Sequence, residues 1–211
     1  MKKSLTPLIL LLILAVSCSK NDSGNTPPPV IPDKYMTTTV GSTWNYETTD
    51  NVASTTSSYI LTSTNRDSTI NAKSYHVYLN SGTNGSEYYN ISAGDYYLYQ
   101  TLPGELGGSR VENLYLKDNV GFNTSWSQSY NVTISNVPLK VTLVNKIVET
   151  GLNLLVNGKT YTKVIHVESS ISVDGVPATA LTSDIQTYYA PKVGLIQNTI
   201  KINLNYLGGA C

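Results

Sequence analysis

The stretch that decides the fold class is Leu154-Leu155-Val156-Asn157-Gly158-Lys159-Thr160-Tyr161. Its central Asn157-Gly158 supplies the two positive φ angles that the type I′ turn of a two-residue β-hairpin requires. The flanking residues are apolar, β-branched or aromatic, as strand residues commonly are. A second dipeptide, Asp174-Gly175, lies between Val173 and Val176 and predicts another hairpin of the same type. These turns predict antiparallel strands.

The rest of the chain continues this pattern. No run of ten or more residues has the i, i+3, i+4 apolar spacing of a helix, whereas period-two alternation is frequent. Tyrosine occurs 16 times and phenylalanine once. Strands are expected at 44–49, 58–64, 74–80, 87–92, 96–101, 111–117, 125–135, 139–149, 153–156, 160–173, 185–190 and 195–207. The predicted class is all-β, with an antiparallel curved sheet built as a sandwich or a half-barrel.

The N-terminus has the form of an export signal. Lys2-Lys3 precede a mostly apolar run over residues 5–16, and Ala15-Val16-Ser17-Cys18 ends this run with small residues and a cysteine. A dozen apolar residues are too few for a bilayer core, which needs about 20 in a helix. We therefore expect residues 1–17 to be a cleaved signal peptide rather than a membrane span.

The residues around the predicted cleavage site resemble the lipobox of bacterial lipoproteins. In that family the cysteine is acylated and becomes the new N-terminus, and Ser17 with the following Ser19-Lys20-Asn21-Asp22 looks like the lipoboxes of Bacteroidota. The resemblance implies acylation of Cys18 and anchoring to the outer membrane, on its periplasmic face or at the cell surface. The alternative is an ordinary signal peptide with an incidental cysteine.

Residues 18–33 are polar and then proline-rich, so they predict a disordered or extended tether. A single all-β domain is expected over residues 34–211, a length that can bury a sizeable core. If Cys18 carries lipid, Cys211 has no cysteine partner within the chain and is expected to be a free thiol, with pairing to another molecule as the alternative.

The domain also contains an apparent internal repeat, which predicts similar halves at 34–117 and 118–211. The two copies have the same order of a Val-Gly turn before a tryptophan, a hairpin and a Tyr-Tyr pair. The alternative is that all-β chains commonly reuse glycine turns and tyrosine strands. The repeated stretches are 40–44 with 120–126, 70–75 with 156–161, and Tyr96-Tyr97 with Tyr188-Tyr189.

The same stretches carry a family resemblance that covers most of the chain after the signal peptide. The Val-Gly-x-x-Trp-x-Tyr of residues 40–46, the hairpin at 157–161 and the Tyr-Tyr-Ala-Pro-Lys-Val-Gly-Leu-Ile of residues 188–196 resemble a large set of uncharacterised Bacteroidota lipoproteins. These motifs are structural and imply no activity. A more distant, architectural likeness to half-barrel lipoprotein carriers of the LolA/LolB type implies, as an alternative function, transport of apolar molecules in a curved sheet.

Composition excludes several partners. The formal net charge is +0 and the basic residues form no cluster in the sequence, so no nucleic-acid binding is expected. There is no His-x-x-x-His, cysteine cluster or EF-hand loop. We therefore expect no metal and no cofactor.

Catalytic motifs are also missing. The two histidines, His76 and His166, each alternate with apolar residues on a predicted strand, and no Gly-x-Ser-x-Gly elbow accompanies them. A histidine on a strand with satisfied hydrogen bonds is the simpler interpretation. We therefore expect a protein that is not an enzyme, with a hydrolase as the weaker alternative.

The tyrosines of residues 88–99 are the feature that predicts a function. Rings on both faces of two adjacent strands imply that one set meets solvent, where it can stack on sugars or dock a protein. The alternative is cross-strand pairing that only stabilises the sheet. Asp67-Ser68-Thr69 also matches a Bacteroidota O-glycosylation pattern, with Ser68 as the acceptor. The sequence thus predicts a lipid-anchored envelope protein that binds a glycan or a protein partner through Tyr88, Tyr89, Tyr96, Tyr97 and Tyr99.

Overall fold

The chain folds into two antiparallel β-sheets, as its alternating sequence predicts. The structure is a computed structural model that describes residues 34–101, 108–134 and 137–205. None of these ranges contains a helix that is long and apolar enough to cross a membrane. The strands are β1 (Thr43–Asp50), β2 (Thr55–Ile70), β3 (Lys73–Asn80), β4 (Gly85–Ser92), β5 (Asp95–Thr101), β6 (Arg110–Lys117), β7 (Ser125–Ile134), β8 (Val137–Val156), β9 (Lys159–Val173), β10 (Leu181–Ala190) and β11 (Gly194–Leu204).

Several sequence predictions concern other parts of the chain. The signal peptide at 1–17, the tether at 18–33, the acylation site Cys18 and the free thiol Cys211 all lie outside the described residues. They stay predictions.

Each sheet is a meander in which every strand pairs with the next strand in sequence. Sheet A has the order β1-β2-β3-β4-β5-β6 and curls into a half-barrel, and sheet B contains β7 to β11 in the same consecutive manner. The chain passes between the sheets through residues 118–124. Most neighbouring strands are joined by connections of two to four residues, which favour antiparallel pairing of consecutive strands.

The predicted hairpin at Asn157-Gly158 is confirmed. Both residues have positive φ, 47° and 77°, and the turn joins β8 to β9. An equivalent turn joins β2 to β3, where Asn71 and Ala72 have φ angles of 50° and 62°. Alanine in that conformation is strained, because its Cβ approaches the following carbonyl oxygen.

The predicted type I′ hairpin at Asp174-Gly175 is wrong. Only Gly175 has positive φ, and residues 174–180 form a longer connection before β10 begins. Pro177 gives a physical reason, since a proline cannot donate a ladder hydrogen bond and is disfavoured inside a paired strand. Its carbonyl instead accepts from the N–H of Ala180 at 2.9 Å.

The core lies between the inner faces of the two sheets. Tyr78, Tyr96 and Leu116 from sheet A and Ile147 from sheet B are fully buried. Tyr78 packs edge-on against Tyr89 with ring centroids 4.9 Å apart, so aromatic rings fill the half-barrel. Burial of each such side chain contributes about 1.5–3 kcal/mol to stability.

The β7 strand meets the edge of sheet A through side chains. Trp126 Nε1 donates to the carbonyl of Leu114 at 2.8 Å, and the N–H of Leu114 donates to Gln128 Oε1 at 2.5 Å. These bonds satisfy backbone groups of β6 that would otherwise form an open sheet edge.

Similar turns precede the first strand of each sheet. Gly41 before β1 and Asn123 before β7 both have positive φ, 81° and 67°. The N–H of Gly41 donates to the carbonyl of Ser63, and the N–H of Asn123 donates to that of Ile147. Sheet A ends at Lys117 and sheet B begins at Ser125, within the limits expected for the two halves. A shared origin of the halves stays a prediction.

Candidate functional site

The tyrosines of β4 and β5 divide between the two faces of sheet A. Successive strand residues point to opposite faces, so Tyr88 and Tyr89 separate, as do Tyr96 and Tyr97. Tyr96 is fully buried and Tyr89 packs against the core. Tyr88, Tyr97 and Tyr99 lie on the outer face, where each is half-buried.

Tyr89 and Tyr96 point into the protein, where hydrogen bonds hold their hydroxyl groups. Tyr96 donates its hydroxyl hydrogen to Asp118 Oδ2 at 2.5 Å and accepts from the N–H of Tyr35 at 2.9 Å. Tyr89 donates to Glu87 Oε2 at 2.7 Å. Burial raises the pKa of both phenols, and the neighbouring carboxylates raise it further. Two of the five predicted aromatic site residues therefore belong to the core and not to the solvent-facing surface.

The outer tyrosines form a cluster with Tyr75 of β3, and we call Tyr75, Tyr88, Tyr97 and Tyr99 the outer aromatic patch. Tyr88 and Tyr99 are direct partners across β4 and β5, and the rings of Tyr75 and Tyr99 lie 5.9 Å apart. Tyr75 is only 1% exposed although it lies on the outer face. The patch is therefore a packed layer with three rings at its surface.

An ion pair borders this layer. Lys73 Nζ lies 2.8 Å from both carboxylate oxygens of Glu112, and Tyr75 donates its hydroxyl hydrogen to the same carboxylate. The ammonium of Lys73 also lies 4.4 Å from the ring centre of Tyr97, which is a cation–π contact. The pKa of Tyr75 is raised, first by burial and then by its bond to Glu112.

This arrangement suits binding rather than covalent chemistry. Within the described part of the chain, the hydroxyls of Tyr88 and Tyr99 have no hydrogen-bond partner, and the ring of Tyr99 packs against that of Tyr75. Each presents an apolar face with a polar tip, which is the form of aromatic contact that sugars and protein surfaces use. Sequence reasoning missed Tyr75, Lys73 and Glu112, because only the strand register brings them together.

Ser68, the predicted glycosylation acceptor, lies beside the patch. It sits on β2 directly opposite Tyr75, and its side chain is half-buried. Its modification stays a prediction.

His76 has the hydrogen bonds of a Ser-His-Asp triad without the access that catalysis needs. Its Nε2 lies 2.9 Å from Ser63 Oγ, and its Nδ1 lies 2.9 Å from Asp67 Oδ1. A register shift in β2 between Ser63 and Asp67 brings both residues to the ring. Ser63 is only 1% exposed, however, so its hydroxyl cannot reach a substrate.

His166 has surroundings similar to those of His76, and these surroundings indicate a structural role for both. His166 Nδ1 lies 2.8 Å from Glu149 Oε2, and its Nε2 lies 2.6 Å from Gln186 Oε1. This ring occupies the corresponding strand of sheet B, and β8 also changes register at Glu149. Gln186 offers no nucleophile, so the His166 cluster cannot act as a triad. We interpret both histidines as residues whose hydrogen bonds stabilise strands at a change of register. The sequence placed them on strands but could not show their partners.

The described residues contain no group of three His, Cys, Asp or Glu side chains that could hold a metal ion. Comparison with protein-family models, with curated proteins and with solved structures gives no significant match to this chain.

Proposed function

We propose that this protein is a lipid-anchored envelope protein that is not an enzyme and that binds its ligand on the outer aromatic patch. The observation that carries the proposal is the row of three half-buried rings, Tyr88, Tyr97 and Tyr99, on the solvent side of sheet A. Cross-strand pairing of Tyr88 with Tyr99 adds stability to the sheet, and the parts of the three rings that remain in water offer apolar faces with polar tips to a ligand.

A glycan is the occupant that the chemistry of the patch favours, and a protein partner is the alternative. Sugar rings stack on aromatic faces and bond to fixed charged or amide groups. Here the carboxylate of Glu112 and the ammonium of Lys73 are fixed beside the rings. The interior of the half-barrel is filled by aromatic side chains, so the geometry does not favour the carrier function.

The anchor is supported by the sequence of residues 1–18 alone. Its test is the mass of the N-terminal peptide from protein made in a bacterium that processes lipoproteins. Diacylation or triacylation of Cys18 is expected, together with loss of residues 1–17. An unmodified Cys18 would overturn the anchor and leave the binding surface to be tested separately.

The binding surface is tested with a glycan array and with purified envelope proteins as probes. The double variant Tyr88→Ala/Tyr99→Ala should weaken binding about 30-fold, since truncating a central aromatic residue costs about 2 kcal/mol or more. Tyr88→Phe/Tyr99→Phe keeps the rings and tests the hydroxyls. Tyr59→Ala, a half-buried tyrosine outside the patch, is the matched control. Equal binding by all variants that retain the wild-type circular dichroism spectrum would remove the patch as the site.

A further inference from the structure

A surface cavity of about 290 Å³ lies between the start of β9 and the connection from β10 to β11. Its lining includes Lys159, Lys163 and Lys192, and all three side chains are exposed. Tyr161 and Thr162 add hydroxyl groups to the same wall. None of the described residues that line it is an Asp or Glu, and we call it the lysine cavity.

The described residues that line the cavity carry an excess of positive charge. Residues 159–163 and 190–194 contain Lys159, Lys163 and Lys192 and no Asp or Glu. The whole chain has 14 basic and 14 acidic side chains, so the charge is unevenly distributed in the fold. A local excess of one sign attracts ligands of the opposite sign.

The local backbone brings two of the lysines to one cavity. Lys163 has φ of 56°, and the pairing of β8 with β9 changes register between Tyr161 and Val164. Such a bulge redirects side chains. Lys159 Nζ lies 4.8 Å from the ring centre of Tyr161, which holds its ammonium at the same place.

The cavity is next to the point where the described chain begins. The N–H of Lys192 donates to the carbonyl of Lys34 at 2.6 Å, and the hydroxyl of Tyr35 donates to the carbonyl of Lys163 at 2.7 Å. Lys34, the first described residue, therefore lies beside the lysine cavity.

We propose that the lysine cavity binds a phosphate-type oxyanion, either free or carried by a lipid headgroup. Several ammonium groups around a small cavity match the charge of phosphate, and lysine is a common phosphate ligand. A headgroup as the source rests on the proposed lipid anchor, because an anchored protein is held at the membrane surface. A free anion does not depend on the anchor.

The first measurement is the affinity of the full chain, in detergent, for inorganic phosphate. Lys159→Gln/Lys163→Gln should weaken binding about ten-fold or more, because each change removes a charge-assisted hydrogen bond. Lys140→Gln/Lys201→Gln removes the same charge from two lysines paired with Asp174 and Asp184 elsewhere, and should change the affinity less than two-fold. No phosphate binding by the wild type, or equal loss in both double variants, would overturn the site.

The second measurement distinguishes the sources. Lysine acetylation of the full chain, read by mass spectrometry, is compared in phosphatidylcholine vesicles with and without phosphatidylglycerol, in phosphate-free buffer. Protection of Lys159 and Lys163 only with phosphatidylglycerol indicates a headgroup, and protection only by added inorganic phosphate indicates a free anion and rejects the lipid source. Protection by neither overturns the proposal. Phosphate protection in a chain whose Cys18 is unmodified would reject the anchor alone.

Discussion

Gly194 joins two parts of the chain that are far apart in sequence. It begins β11 with φ of 86°, and a Cβ at this position would lie 2.9 Å from Met36 Sδ and 3.2 Å from the carbonyl oxygen of Tyr35. Met36 itself is 3% exposed and belongs to the core. The close approach of the 34–36 segment to the β10–β11 connection therefore requires glycine.

Gly194→Ala should destabilise the protein by about 2–4 kcal/mol, since it adds a steric clash to the cost of positive φ. Gly158→Ala is the matched control, because its φ is 77° and nothing lies within 4 Å of the added Cβ. The control should cost about 1–2 kcal/mol. Urea unfolding measures both free energies, and equal losses would show that the contact with residues 35 and 36 is unimportant.

At the level of single residues, the sequence predicted where the site residues lie more reliably than what they touch. Period-two alternation implies opposite faces for Tyr88 and Tyr89, and the structure agrees. Which face is the inner one depends on how sheet B packs, which no local pattern encodes. The same limit applies to His76, whose contact with Asp67 depends on a register shift in β2.

The β2–β3 hairpin has an unusual turn residue. Ala72 has φ of 62° at a position of the type I′ turn where glycine is preferred, and the corresponding turn between β8 and β9 has Gly158. Alanine pays a steric penalty there that glycine avoids.

Ala72→Gly should therefore stabilise the protein by about 0.5–1 kcal/mol, despite the greater entropy of glycine in the unfolded chain. The measurement is the shift of the urea midpoint at constant m value. Ala53→Gly, in a turn where the alanine does not have positive φ, is the control and should be neutral or destabilising. A loss of stability in Ala72→Gly would contradict the strain at Ala72.

Strand positions were predictable and strand ends were not. All of the expected strands are present, but those at 139–149 and 153–156 form the single strand β8. Gly151, with φ of 74°, lies within β8 at a change of register, so the residue that resembled a break is a bulge. Likewise, the glycine at 175 predicted a tight hairpin, while Pro177 prevented it.

Across the whole molecule, burial controls the ionisation of tyrosine. It raises the pKa of Tyr130 to about 12, and it raises those of Tyr89, Tyr115 and Tyr189 as well. The corresponding pKa in an unfolded chain is about 10. Because the folded values are higher, the stability that these neutral phenols contribute is fully present below pH 10 and is lost as pH rises above it.

We therefore expect the buried phenols to contribute tyrosinate absorbance only at a pH above 10, together with cooperative loss of the β-sheet circular dichroism signal. A single titration of all tyrosines near pH 10 with an unchanged circular dichroism spectrum would contradict the burial described above.

Strand pairing between sequence neighbours has a kinetic consequence. Since β1 to β6 and β7 to β11 each add to the preceding strand, loop closure before each pairing is short. Low contact order speeds folding, even in all-β proteins. A chain that emerges end first can thus add one hairpin after another, so few unpaired strand edges remain exposed before their partner strand is available.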